Sequence, residues 1–140
     1  MSDPLRLYAL TATLLALHLI ALALWTGTVR VRRKQWINPE DAAFNKGAQV
    51  AVEDEAVLRA KRAHMNAIEN ALPFFVVGAL YAATAPSKNA ALAYFGTFAA
   101  ARLLHSVVYL WGRQPFRTMM FAIGVLATLG MAVHVIRVSI

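Results

Sequence analysis

A chain of 140 residues that is 59% hydrophobic and only 15% charged has room for one domain. It is more apolar than a soluble domain, where about 45–50% apolar and about 25% charged residues are usual. With no cysteine, disulfides, thiolate metal sites and a cysteine nucleophile are excluded, so any thiol must arrive with a ligand. The net charge of +7, set beside long apolar runs, points to basic loops facing anionic lipid or an anionic ligand rather than to nucleic acid.

Residues 7–29 are 23 residues without a charge, enough at a rise of about 1.5 Å per residue to cross a hydrocarbon core of about 30 Å. Arg6 precedes this run and Arg30-Val31-Arg32-Arg33-Lys34 follows it. A secretory signal carries its charges the other way round. A first helix is therefore expected over about residues 5–29, retained, with its C-terminal end cytoplasmic. His18, alone on that helix, reads as a satisfied bundle histidine.

Residues 30–53 form the one long polar loop. In it Asn38-Pro39-Glu40-Asp41 reads as a turn or a helix start with proline first, and Lys46-Gly47 is a break. The second helix is expected over about 54–83, with Glu53-Asp54-Glu55 suited to the dipole at its start. Only 18 residues, 70–87, are uncharged here, which is short for a crossing, so Asn66 and Glu69 fall at the membrane boundary. Pro73 removes the N–H that would bond the Glu69 carbonyl. A tight turn, Ala85-Pro86-Ser87-Lys88-Asn89, leads to a third helix over about 90–111, whose one charge is Arg102. A short basic link, Gly112 to Arg117, opens the fourth helix, about 117–138. Small residues at 122–124 and 130–132 allow close packing there. Trp25, Tyr109 and Trp111 read as one aromatic belt and Tyr8 as part of the opposite one.

The fold class read from this pattern is all-α: an integral membrane four-helix bundle, up-down, forming a single domain over residues 1–140. Eight of the lysines and arginines lie in residues 30–62 and two in the link 112–117. Basic loops stay inside, so both termini are expected on the side away from the cytoplasm. The alanine- and arginine-rich composition suits a bacterial inner membrane.

The polar groups collect at one depth. Arg62, Asn66 and Glu69 follow at i, i+4 and i+7 on one helical face, with His64 turned away from that line. Arg102, His105 and Tyr109, with Ser106 beside them, follow at i, i+3 and i+7 on the third helix. Arg30 ends the first helix and Arg117 starts the fourth. The arginines among these groups outnumber the one carboxylate, Glu69, by four to one. A buried excess of cations costs several kcal/mol per ion unless paired, so a ligand anion is expected, and arginine suits carboxylates through its bidentate fork. Glutathione, with two carboxylates, one ammonium and a thiol, fits the pattern, as do other dianions.

The run Arg62-Ala63-His64-x-Asn66-x-x-Glu69-Asn70-x-x-Pro73-Phe74 resembles the signature of the membrane-associated proteins in eicosanoid and glutathione metabolism. Thr26-Gly27-x-Val29-Arg30-x-Arg32-Arg33-Lys34 with Asn38-Pro39-Glu40-Asp41 is similar to the first helix end and loop of the microsomal glutathione transferase and prostaglandin E synthase branch. Arg102-x-x-His105-Ser106-x-x-Tyr109-Leu110 with Pro115-x-Arg117 is similar to its third and fourth helices. The resemblance implies a homotrimer with glutathione between subunits at the cytoplasmic side, and an apolar electrophile entering from lipid.

By that resemblance Arg62, Asn66, Glu69, His105 and Tyr109 fall on glutathione-binding positions, and Arg30 on a basic position of the same site. Phe121 replaces a ligand-contacting tyrosine, as in the transferase. Arg117 falls on the arginine that holds the sulfur as thiolate. Thr118 keeps a hydroxyl beside it, and Asp41 matches a loop aspartate of the synthase. Arg102 joins the set by its depth.

The activity implied is conjugation of glutathione to lipophilic electrophiles, with lipid hydroperoxide reduction beside it and no metal. The alternatives are a glutathione-dependent isomerase of prostaglandin E synthase type, using Thr118 and Asp41, and a non-enzymatic lipid-binding protein. A small transporter along the Arg102–His105–Tyr109 stripe is disfavoured, because the stripe occupies one level only.

Overall fold

The structure, a computed structural model, describes all 140 residues. Four long helices make up most of it: α1 (Asp3–Arg33), α3 (Glu55–Ala83), α4 (Lys88–Trp111) and α5 (Phe116–Ser139). Between α1 and α3 lie β1 (Gln35–Trp36), a short α2 (Pro39–Phe44) and β2 (Ala48–Gln49). Helix α1 packs against α3 and α4, and α5 packs against the same two on the other side. The pair α3 and α4 touch, while α1 and α5 do not meet.

Local chemistry explains the helix ends. Asp3 lies in the first turn of α1 beside Pro4, Arg30, Arg32 and Arg33 lie in its last, and Lys34 ends it in the left-handed region at φ 52°. These charges suit the helix dipole. The Asp54 side chain caps α3, accepting from the Ala56 N–H at 2.8 Å. Ser87 caps α4, and Gly112, at φ 68°, ends it.

Helix α1 reaches four residues beyond the expected end at 29, so Arg30 belongs to the helix and not to the loop. The loop is more structured than its composition suggests. β1 and β2 pair in parallel, Gln35 with Ala48 and Trp36 with Gln49. The buried Trp36 ring occupies the space that a Cβ at Gly47 would need. Glycine is required there by close approach.

The core lies in the half of the molecule away from this loop. Leu15, Phe74, Tyr81, Phe95, Phe98 and Met131 are sealed there, with Phe74 stacked on Phe98 at 4.1 Å between ring centres. Tyr8 is part of this packing. Its hydroxyl donates to the Phe75 carbonyl at 2.8 Å, and its ring lies 5.9 Å from that of Phe95. Read from the sequence as an interface aromatic, Tyr8 turns its side chain inward. Gly130 admits the Tyr94 ring, which a Cβ would meet at 2.6 Å.

Three helices, α1, α4 and α5, are long and apolar enough to cross a membrane. Helix α3, with its charged first half, is not among them. Leu10, Leu14, Leu17 and Leu24 on α1, and Leu126, Leu129 and Ile136 on α5, are exposed. Water would not tolerate that much contiguous apolar surface, and lipid does.

Phe74→Ala removes the ring at the centre of the stack and is expected to lower stability by about 3 kcal/mol. Leu126→Ala, on the outer face, is expected to change it by less than about 0.5 kcal/mol. Thermal unfolding of both variants in detergent checks this. Equal losses would show that the core does not lie where the Phe74–Phe98 stack marks it.

Candidate functional site

The polar end of the molecule is built on charges that the fold first pairs internally. Glu53, just before α3, is 4% exposed. Arg30 Nε donates to its Oε1 at 2.6 Å, and the Lys61 ammonium sits on Oε2. Burial alone would raise this carboxyl. The hydrogen bonds from Lys61 and Arg30, and their charges, outweigh burial and hold it below its ordinary value. Glu53 therefore does not serve the helix dipole, as its position suggested. Asp54 caps the helix, and Glu53 clamps the end of α1 to the start of α3.

Arg62 is also paired, donating from Nη2 to Glu55 Oε1 at 2.5 Å on the surface. The expectation that four arginines face one carboxylate is thus corrected. Arg30 and Arg62 have carboxylates of their own, from residues one loop and two helical turns away. Arg102 and Arg117 have none.

Arg102 is 2% exposed. Its Nη2 donates to Asn66 Oδ1 at 2.7 Å and faces His105 Nδ1 at 3.3 Å. Its stem lies against Gly124 of α5, where a Cβ would come 3.1 Å from Arg102 Cδ. Nε and Nη1 are sealed without a partner. Arg102 was expected to line the site. It lies behind the site instead, because the absence of a side chain at Gly124 lets it pass between α3 and α5. Ser106 donates to the Arg102 carbonyl at 3.2 Å and meets His18 Nε2 at 2.9 Å, so His18 has a bundle partner.

In front of Arg102 opens a cleft of about 250 Å³. It is lined by Asn66 of α3, His105 and Tyr109 of α4, and Arg117, Thr118 and Phe121 of α5. The Arg117 guanidinium lies 4.8 Å over the Tyr109 ring, a cation–π contact. Tyr109 meets His105 edge to face at 5.6 Å, and Phe121 lies 6.3 Å from His105. Tyr109 is therefore a cleft residue. With its amide turned to satisfy both neighbours, Gln114 accepts from Arg117 Nη2 at 2.7 Å and donates to the Thr118 hydroxyl at 3.2 Å. Gln114 was not foreseen. Its place three residues before Arg117, where the chain enters a helix, is the only signal for it.

The face expected from Arg62, Asn66 and Glu69 is divided by the fold. Arg62 is drawn to the surface by Glu55 and Asn66 enters the cleft. Glu69 lines the next opening along the α3–α5 seam, about 190 Å³, with Asn70, Pro73, Val125, Thr128 and Leu129. Asn70 donates to the Asn66 carbonyl at 2.8 Å, so the two openings share a wall. Asp41 lies in α2, where its carboxylate accepts from Asn38 Nδ2 at 3.0 Å. Neither Asp41 nor Arg30 lines the cleft. What the cleft offers is one unpaired guanidinium, a hydroxyl, a phenol and an imidazole beside an aromatic wall. That set can hold an anion next to an apolar group.

The family model described as the MAPEG family matches residues 8–137. The chain is 36% identical to the prostaglandin E synthase of Homo sapiens, over 97% of this chain and 91% of that one. It is 35% identical to microsomal glutathione S-transferase 1 of Homo sapiens, over 93% and 87%. With microsomal glutathione S-transferase 1 of Rattus norvegicus it shares 36% identity, over 97% and 91%.

Glu53→Gln is expected to lower stability by about 2 kcal/mol at neutral pH. The folded carboxyl titrates below its unfolded value of about 4.3. Its contribution is therefore complete above that value and is lost as pH falls through the depressed folded value. The melting curves of wild type and variant should draw together at acid pH, and a gap that widens on acidification would contradict the clamp.

Proposed function

The chain belongs to the MAPEG family and is an integral membrane protein, and from that premise we propose that it conjugates glutathione to apolar electrophiles. The observation that carries this reading is Arg117: a guanidinium in an aromatic-walled cleft, held by Gln114 and stacked on Tyr109, with no carboxylate to neutralise it. It is the group the chemistry needs. A thiol of the cysteine type titrates near about 8.5. A cation beside it in a low-dielectric site favours the anion, and each unit of lowering takes about 1.4 kcal/mol of differential interaction. The thiolate then attacks the electrophilic carbon, a sulfur–carbon bond forms, and the leaving group departs with its bonding pair.

Around Arg117 the roles divide by chemistry. The side chains of Asn66, His105 and Tyr109 hydrogen-bond the peptide, and Thr118 adds a hydroxyl near the sulfur. Phe121 gives the second substrate an apolar wall, reached from lipid along α4 and α5. Glu69, unpaired and one turn deeper, takes the ammonium. The carboxylates need cations from outside the cleft, and a homotrimer supplies them, with Arg30 and Arg62 at the seam between copies. In this reading all four long helices span the bilayer in an up-down bundle. The basic end is cytoplasmic, the termini lie on the opposite side, and the whole chain is one domain. The same thiolate would reduce lipid hydroperoxides as a side activity.

A second reading is favoured by one fact: prostaglandin E synthases match the chain as well as the transferases do. A glutathione-dependent isomerase would need Thr118 and Asp41 together, and Asp41 lies outside the cleft, bonded to Asn38. Product analysis with an endoperoxide and with a chlorinated aromatic electrophile separates the two.

Arg117→Ala is expected to lower turnover with a chlorinated aromatic electrophile by about 100-fold, with glutathione affinity changed far less. Equal losses in turnover and binding, or unchanged turnover, would reject the thiolate role. Glu69→Ala is expected to weaken glutathione binding by about 10-fold at saturable turnover. Calorimetry that finds unaltered affinity would remove Glu69 from the site.

A further inference from the structure

We propose that Arg102 is a positioning residue that locks His105 as the neutral tautomer with its proton on Nε2, presented to the cleft as a fixed hydrogen-bond donor. Arg102 Nη2 faces His105 Nδ1 at 3.3 Å. A guanidinium has five N–H donors and no acceptor. A hydrogen bond between the two therefore requires Nδ1 to be the acceptor, and the ring proton must sit on Nε2. The guanidinium is itself fixed. Nη2 spends its other proton on Asn66 Oδ1 at 2.7 Å, and the side chain, 2% exposed, is wedged against Gly124.

The far nitrogen is the one left free. His105 Nε2 has no hydrogen-bond partner in the protein, yet it is not sealed, unlike Arg102 Nε and Nη1. Since His105 lines the cleft, this nitrogen opens onto it. The groups facing the ring are Arg102 of its own helix, Tyr109 one turn on, and Phe121 and Arg117 of α5. No carboxylate is among them, so nothing there favours an imidazolium. A neutral Nε2–H beside Arg117 suits an acceptor oxygen on a ligand, either a carboxylate or a peptide carbonyl. It cannot take a proton from a thiol, because its one basic nitrogen is occupied by Arg102. His105 is then a donor and not the general base. Deprotonation of the thiol falls to solvent, with Arg117 holding the product anion.

The ligand end of this inference rests on the proposed function, and the tautomer does not. The test is a nitrogen-15 spectrum of the full-length protein in lipid nanodiscs, labelled at histidine, with His105 assigned through His105→Gln. The result expected is one protonated nitrogen, assigned to Nε2, and one bare nitrogen, Nδ1, displaced as a hydrogen-bond acceptor. In Arg102→Met that displacement should be lost and the two ring resonances should move toward each other as the tautomers mix. A wild-type ring protonated at Nδ1 overturns the proposal, and so does a spectrum that Arg102→Met leaves unchanged. Should that variant fail to fold, the wild-type tautomer decides the matter alone. Adding glutathione should then shift the Nε2 proton. A spectrum that responds to Arg102→Met but not to glutathione upholds the tautomer and counts against the proposed function.

Discussion

The polar end of this protein depends on one buried guanidinium. Arg102 lies between three helices with no carboxylate to neutralise it, and its firmest bonds run to neutral acceptors on α3 and α4. An uncompensated charge in so dry a place costs several kcal/mol. Two local features make it possible. Gly124 leaves room for the side chain on α5, and Asn66 offers an oxygen from the facing helix. With the cation held there, Asn66 and His105 have little freedom to turn, and both form part of the cleft wall. The cleft is thus ordered from behind, by a residue that does not reach its surface.

The other cations divide by whether the fold pairs them. Arg30 and Lys61 meet on Glu53 and fasten α1 to α3, and Arg62 is occupied by Glu55. These pairs hold the basic end together. Arg117 is different, because its neighbours are an aromatic face and an amide, both neutral. A guanidinium that is positioned but not neutralised keeps its field for whatever enters the cleft. The distinction between structural and available cations follows from the pairing and not from the residue types.

The helices were legible because uncharged runs of this length have few other uses, and the apolar exteriors of α1, α4 and α5 are consistent with that reading. Side-chain direction was harder to read. Tyr8 sits at a helix end where a belt residue would sit, yet it turns inward to Phe75. The Arg62–Asn66–Glu69 face was a sound reading of helical spacing, but spacing says nothing of a competing carboxylate, and Glu55 draws Arg62 away. Glu53 pairs with Arg30 across 23 residues of chain. Such a contact is set by the folded loop, Trp36 over Gly47 included, and no local pattern announces it. Of the residues named for the site, Asn66, His105, Tyr109, Arg117, Thr118 and Phe121 share one cleft. Arg30, Arg62, Glu69, Arg102 and Asp41 lie around it, behind it or apart from it. Motif order along the chain brought the first group into view, and only packing separates it from the second.

The central claim is that Arg117 keeps an unneutralised charge for a thiolate. The most direct measurement is the ultraviolet difference spectrum at thiolate wavelengths as glutathione is added to the protein in detergent, followed over pH. If the claim holds, thiolate absorbance appears on binding at pH values well below the free thiol's titration near about 8.5, and is lost in Arg117→Ala. Bound glutathione that ionises no more readily than free glutathione would contradict it.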